Sequence, residues 1–123
     1  MRRAVFWIPA LTVALLACSD GHSAREQATI DEAMASLEEA PKRIRTEVLR
    51  TCEKWMHKLR RCEEPAVRLD QMECWLETGL PHLKRALKRN MGQRARDRKT
   101  LQHQSLCMDR RGWRHREPTK DFF

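Results

Sequence analysis

Apolar side chains recur at steps of three and four along most of this chain, the spacing of one face of an α-helix. Ile30, Ala33, Met34 and Leu37 form the first set. They follow Thr29-Ile30-Asp31-Glu32, a capping box with Thr29 as N-cap and Glu32 at the third helical position. Pro41 ends or kinks that helix near Ala40. Ile44, Val48, Cys52, Trp55, Leu59 and Cys62 make the longest stripe, which predicts one helix running to the turn at Glu63-Glu64-Pro65. A short helix over 66–78 carries Leu69, Met72 and Leu76 on one side and Val67 and Cys74 on the other, so it is expected to be central. Gly79, at a left-handed C′ position, and Pro81 are expected to end it. A fourth helix starts at Pro81 with Leu83, Leu87 and Met91, and ends or bends at 90–92. The pattern then thins until Leu101, Leu106, Cys107 and Met108 return the chain to the core, while Gly112, Pro118 and Phe122-Phe123 read as a frayed tail. No segment alternates apolar and polar residues with β-branched enrichment, so no sheet is predicted. The expected fold class is all-α: a small disulfide-stapled helical hairpin or bundle of about four helices behind a flexible N-terminal tether.

The first eighteen residues follow another logic. Met1-Arg2-Arg3 is positive, and Ala4 to Leu16 is apolar apart from Thr12. A run of this length behind a positive start is a secretory h-region and is too short to span a bilayer. It ends Leu15-Leu16-Ala17-Cys18, which resembles a bacterial lipobox. The resemblance implies a lipid on the Cys18 sulfur, cleavage before Cys18 and acylation of the new amino end, with palmitate as the expected chain. Ser19 in place of Asp implies the outer membrane by the sorting rule of that family. An ordinary leader cut near Ala17 or Ser19 is the alternative. The resulting division is a signal peptide over 1–17, a lipidated tether over 18–28, a disulfide-stabilised helical domain over 29–109 and a basic C-terminal tail over 110–123.

Under either cleavage, four cysteines remain in an oxidising compartment, an even number. A hairpin turning near 63–65 puts Cys52 and Cys74 level with each other, which favours Cys52–Cys74 and leaves Cys62–Cys107. A zinc site using the cysteines with His57 or His82 would want a closely spaced pair such as C-x2-C, and there is none. There is no G-x-S-x-G, HExxH or glycine-rich phosphate loop, and His22, His57, His82, His103 and His115 share no close spacing. Neither catalysis, nor a metal, nor a cofactor is expected.

Charge is the feature most open to function. Residues 18–77 hold 13 acidic and 10 basic side chains, whereas residues 78–123 hold 4 acidic and 13 basic. Lys84, Arg85, Lys88, Arg89, Arg94, Arg96, Arg98 and Lys99 crowd into sixteen residues with one acid, Asp97. Arg110, Arg111, Arg114 and Arg116 gather around Trp113. Such a run is either a solubilising surface or a docking face for something anionic. The expected partners are the membrane, through the lipid anchor, and an envelope protein or an anionic envelope polymer such as peptidoglycan or lipopolysaccharide. Nucleic acid is disfavoured by the leader and by the lack of an aromatic stacking ladder. Should the basic run only solubilise, exposed sides of Trp55, Trp75 and Trp113 are the next surface to consider. The expected function is that of a non-catalytic, periplasm-facing outer-membrane lipoprotein serving as binding or assembly accessory of an envelope complex. The build is similar to that of the pilotins of secretion systems. An exclusion or immunity lipoprotein is the alternative.

Overall fold

The computed structural model describes residues 22–117, which form an all-α domain pinned by two disulfides. The leader, Cys18, Ser19, Pro118 and Phe122-Phe123 lie outside the described residues. Helix α1 spans Ala24–Glu38. Its start is set by a capping box one turn and a half earlier than expected. The Glu26 N–H donates to Ser23 Oγ (3.1 Å) and the Ser23 N–H to Glu26 Oε1 (2.9 Å). Residues 24–28 are therefore helix rather than tether, and Thr29 sits inside the helix with its hydroxyl on the Arg25 carbonyl.

Helix α2 covers only Lys42–Val48. The predicted continuation to Cys62 does not form. Glu53 accepts from both the N–H and the hydroxyl of Thr51 at 3.1 Å, and this local turn competes with helix just where the stripe would have carried on. Leu59, a supposed core position, is 90% exposed. The segment instead gives a short strand β1, Trp55–His57, which pairs antiparallel with β2, Trp113–His115, in the register Trp55↔His115 and His57↔Trp113.

Helix α3, Glu64–Cys74, begins with Pro65 in its first turn and does not stop at Gly79. It widens into a π-helical turn, Trp75–Gly79, and continues as α4, Leu80–Lys88. Pro81 has no N–H to offer the preceding turn; the wider turn, in which the Leu80 N–H reaches back to the Trp75 carbonyl, absorbs it without breaking the helix. Gly79 is right-handed, at φ −64° and ψ −54°. Its glycine answers crowding by Trp75, not a left-handed cap. Asn90, at φ 55°, makes the real reversal into α5, Gln93–Arg110.

The main hairpin thus pairs the α3–α4 rod with α5. Gln104 Nε2 donates to the Gln71 carbonyl (2.9 Å), and Cys74 is bonded to Cys107. Helix α1 runs parallel to α3, with Trp75 Nε1 donating to Ser36 Oγ at 2.7 Å. The larger core gathers Ile30, Leu37, Ile44, Val48, Met72, Trp75, Leu83 and Leu101. A second core, Trp55, Val67, Cys74, Cys107, Met108 and Trp113, seals the ribbon end. The disulfides are Cys52–Cys62 and Cys74–Cys107, which corrects the expected Cys52–Cys74 and Cys62–Cys107. The error follows from the helix at 49–62: once that segment is a loop, Cys52 comes back to meet Cys62.

Candidate anion-docking site

The rod and α5 meet at the turn over 89–92, and the basic run predicted from sequence lines both sides of it. On α4, Lys84, Arg85 and Lys88 are exposed, as is Arg89 at its C-cap; on α5, Arg94, Arg98 and Lys99 are exposed. Successive turns of a helix place residues three and four apart on one face, so His82, Arg85 and Arg89 share a stripe that faces Lys99 and His103 across the hairpin. The His82 and His103 rings stand 4.4 Å apart, and His82 Nδ1 lies 2.8 Å from Thr100 Oγ1. Burial, followed by the positive fields of His103, Arg85, Lys99 and Arg89, holds His82 below its ordinary pKa.

Ion pairing sets one member of the basic run apart from the others. Among the described residues, salt bridges engage Arg50, Lys54, Lys58, Arg96 and Arg111, and none takes in Lys84, Arg85, Lys88, Arg89, Arg94, Arg98 or Lys99. Arg96 therefore leaves the predicted set. Its side chain is only 15% exposed, and Nε lies 3.0 Å from Oδ1 of Asp97, the buried acid of the run. Leu87, expected in the core stripe, is instead 56% exposed and adds an apolar contact point among the cations.

The second basic cluster is not a tail. Arg111 Nη1 bonds Asp70 (3.1 Å) and Glu73 (2.7 Å), and its Nη2 takes both carboxylate oxygens of Glu77. Trp113 Nε1 donates to Asp70 Oδ2 at 2.7 Å, and Trp113 is wholly buried. Trp55 and Trp75 are buried too, so none of the three tryptophans offers an interaction surface. Beside them, Lys54 is buried with Nζ 2.9 Å from Glu47 Oε2. Burial alone would raise the Glu47 carboxyl, but the hydrogen bond and charge of Lys54, with Arg50, hold it below the usual carboxylate range.

All of Cys52, Cys62, Cys74 and Cys107 are in disulfides, which removes their thiolates as zinc ligands. Among the described residues no group of three or more His, Cys, Asp and Glu side chains is placed to hold a metal, and no helix is long and apolar enough to cross a membrane. What the hairpin tip can do chemically is present cations, the His103 imidazole and one leucine to an anionic surface. No protein-family model, curated protein or solved structure matches the chain.

Proposed function

We propose that this protein is a lipid-anchored, periplasm-facing lipoprotein that acts by contact, using the hairpin tip to hold an anionic component of the bacterial envelope. The observation that carries the reading is the segregation of charge. Seven exposed cations crowd the tip with no ion pair among the described residues, and the one acid of the run, Asp97, is buried against Arg96. Unneutralised like charges cost folding energy, and a docking partner relieves that cost.

The placement of the tip supports a partner away from the anchoring membrane. The chain enters the fold at His22, which shares a cleft with Asp70 near the start of the rod. From Asp70 to Arg89 the rod climbs about 28 Å at the helical rise of about 1.5 Å per residue. An acidic protein patch or the carboxylates of peptidoglycan fit that position. An assembly accessory similar in build to the pilotins is the role this supports best.

The test is charge reversal on the tip. Arg85→Glu, Arg89→Glu and Lys99→Glu together should abolish retention of the envelope partner in pull-downs, while helical content and both disulfides persist. Wild-type retention should fall steeply as salt rises, because screening shortens from about 10 Å at 0.1 M to about 3 Å at 1 M. Undiminished retention by the triple variant at low salt would refute the assignment.

A further inference from the structure

At the opposite end of the molecule the Leu49–Glu63 loop presents a second exposed feature. Leu59 is 90% exposed and Met56 is 43% exposed, an unusual pair of apolar side chains to leave in water within four residues. The loop that carries them is built, not slack. The Cys52–Cys62 bond closes its base. The Lys58 N–H donates to the Gly112 carbonyl (2.9 Å), and the Leu59 N–H donates to His57 Nδ1 (3.1 Å). His57 Nε2 in turn lies 3.2 Å from the Arg111 carbonyl. Gly112, at φ 96°, permits this seating: a Cβ there would stand 2.7 Å from His57 Nε2.

Cations surround the apolar pair. Lys58, Arg60 and Arg61 are exposed neighbours in the chain, and Arg114 sits opposite Met56 in the ribbon, on the same outward face. The acids Glu63 and Glu64 come only after the bridge at Cys62, and Asp109 pairs with Lys58 at 3.4 Å. Apolar side chains ringed by Lys and Arg are the chemistry that lies in a membrane interface, where the tips enter the acyl boundary and the cations meet anionic headgroups.

We infer that the Met56–Arg61 loop seats this domain on the anionic leaflet that holds its own lipid anchor. The inference rests on the lipid-anchor reading of Cys18. His22 and Arg60 line the same cleft, so the chain leaves the fold beside the loop. Cys18 is four residues earlier, within about 14 Å at full extension. The loop therefore faces the surface to which the anchor ties it. The hairpin tip, at the far end of the rod, is left pointing outward.

Trypsin reads the loop directly, since Lys58, Arg60 and Arg61 are its cutting sites. The full chain, purified with its native processing, is placed on vesicles of phosphatidylcholine alone or with one quarter phosphatidylglycerol. Cleavage at 58–61 should be at least tenfold slower on the anionic vesicles. The double variant Met56→Asp/Leu59→Asp should lose that protection while keeping its disulfides and helical content. Equal cleavage on both vesicles, with Cys18 shown by mass to be acylated, overturns the loop assignment and leaves the anchor intact. A chain whose Cys18 carries no acyl group refutes the anchor instead. Co-sedimentation then decides the loop: binding to anionic vesicles that the double variant abolishes sustains it, and no binding overturns it.

Discussion

Trp75 lies so close to Gly79 that a Cβ at residue 79 would stand 2.5 Å from Trp75 Cε3 and 2.8 Å from Gln104 Oε1. The glycine is what lets a π-helical turn, a buried indole and a buried amide share one level of the hairpin. Gly79→Ala should therefore destabilise the fold by about 1–3 kcal/mol, the usual cost of overpacking a core. That loss outweighs the gain of up to about 1 kcal/mol that alanine brings to a helix interior. Urea denaturation of the oxidised protein measures the difference, and a stabilised variant would refute the crowding argument.

Peptide mapping without reductant should recover Cys52 joined to Cys62 and Cys74 joined to Cys107. Lys54, Lys58, Arg60 and Arg61 give trypsin sites between the first two cysteines. Removing the longer bridge as Cys74→Ala/Cys107→Ala should cost about 4 kcal/mol, against about 3 kcal/mol for Cys52→Ala/Cys62→Ala, because the first closes 33 residues and the second 10. A larger loss from the short bridge would mean that the loop's seating, rather than chain entropy, dominates.

His115 stacks on Trp55 at 4.3 Å and places Nε2 3.1 Å from Ser105 Oγ. Burial, and then the Lys54 charge, push its pKa from 6.5 down to about 4. The folded imidazole stays neutral while the unfolded one takes a proton, so this contribution is complete above about pH 6.5. It is lost as the pH falls toward 4, to the order of 1–2 kcal/mol once solvent screening of the half-buried ring is allowed for. His82 is shifted in the same direction. The depressed carboxylates act in a lower window, below their ordinary value of 4.5. Melting temperature should therefore drop between pH 6.5 and 4.5, and His115→Phe, which keeps the stack, should flatten that slope. An unchanged slope in the variant would assign the titration elsewhere.

Arg111→Gln should destabilise the domain by about 1–2 kcal/mol. It strands Asp70, Glu73 and Glu77, three acids at steps of three and four on one helical face, without their shared cation. Because these carboxylates are partly exposed, raising salt to 1 M should narrow the gap from wild type. Chemical denaturation at the two salt concentrations gives the comparison.

Helical character and the basic run were legible in the sequence because each is carried by many residues at once. Ile30, Ala33, Leu37, Ile44 and Val48 are all buried on the faces their spacing implies. The stripe beyond Val48 misled for a physical reason: Trp55, Cys52 and Cys62 meet the second core from a loop, and their helical spacing is incidental. A strand of three residues is too short for alternation to register, although Trp55-Met56-His57 and Trp113-Arg114-His115 repeat one Trp-x-His pattern that could have suggested the pairing. Arg111 read as part of a tail because its acids lie 34–41 residues away, a distance no local pattern reports. At the tip, charge counting alone could not tell Arg96, tied to its neighbour Asp97, from the exposed arginines around it.

The two bridges join neighbours in the order Cys52, Cys62, Cys74, Cys107, the first with the second and the third with the fourth of these four. A polypeptide delivered N-terminus first offers Cys52 and Cys62 to an oxidant before Cys74 appears, and Cys107 last of all. With the Cys18 thiol taken by lipid, as proposed, an oxidase that links the remaining thiols in their order of arrival reaches the native pattern directly. No wrong pair has to be opened and exchanged. Maturation of this domain should accordingly proceed at full yield in cells that retain a disulfide oxidase and lack an isomerase.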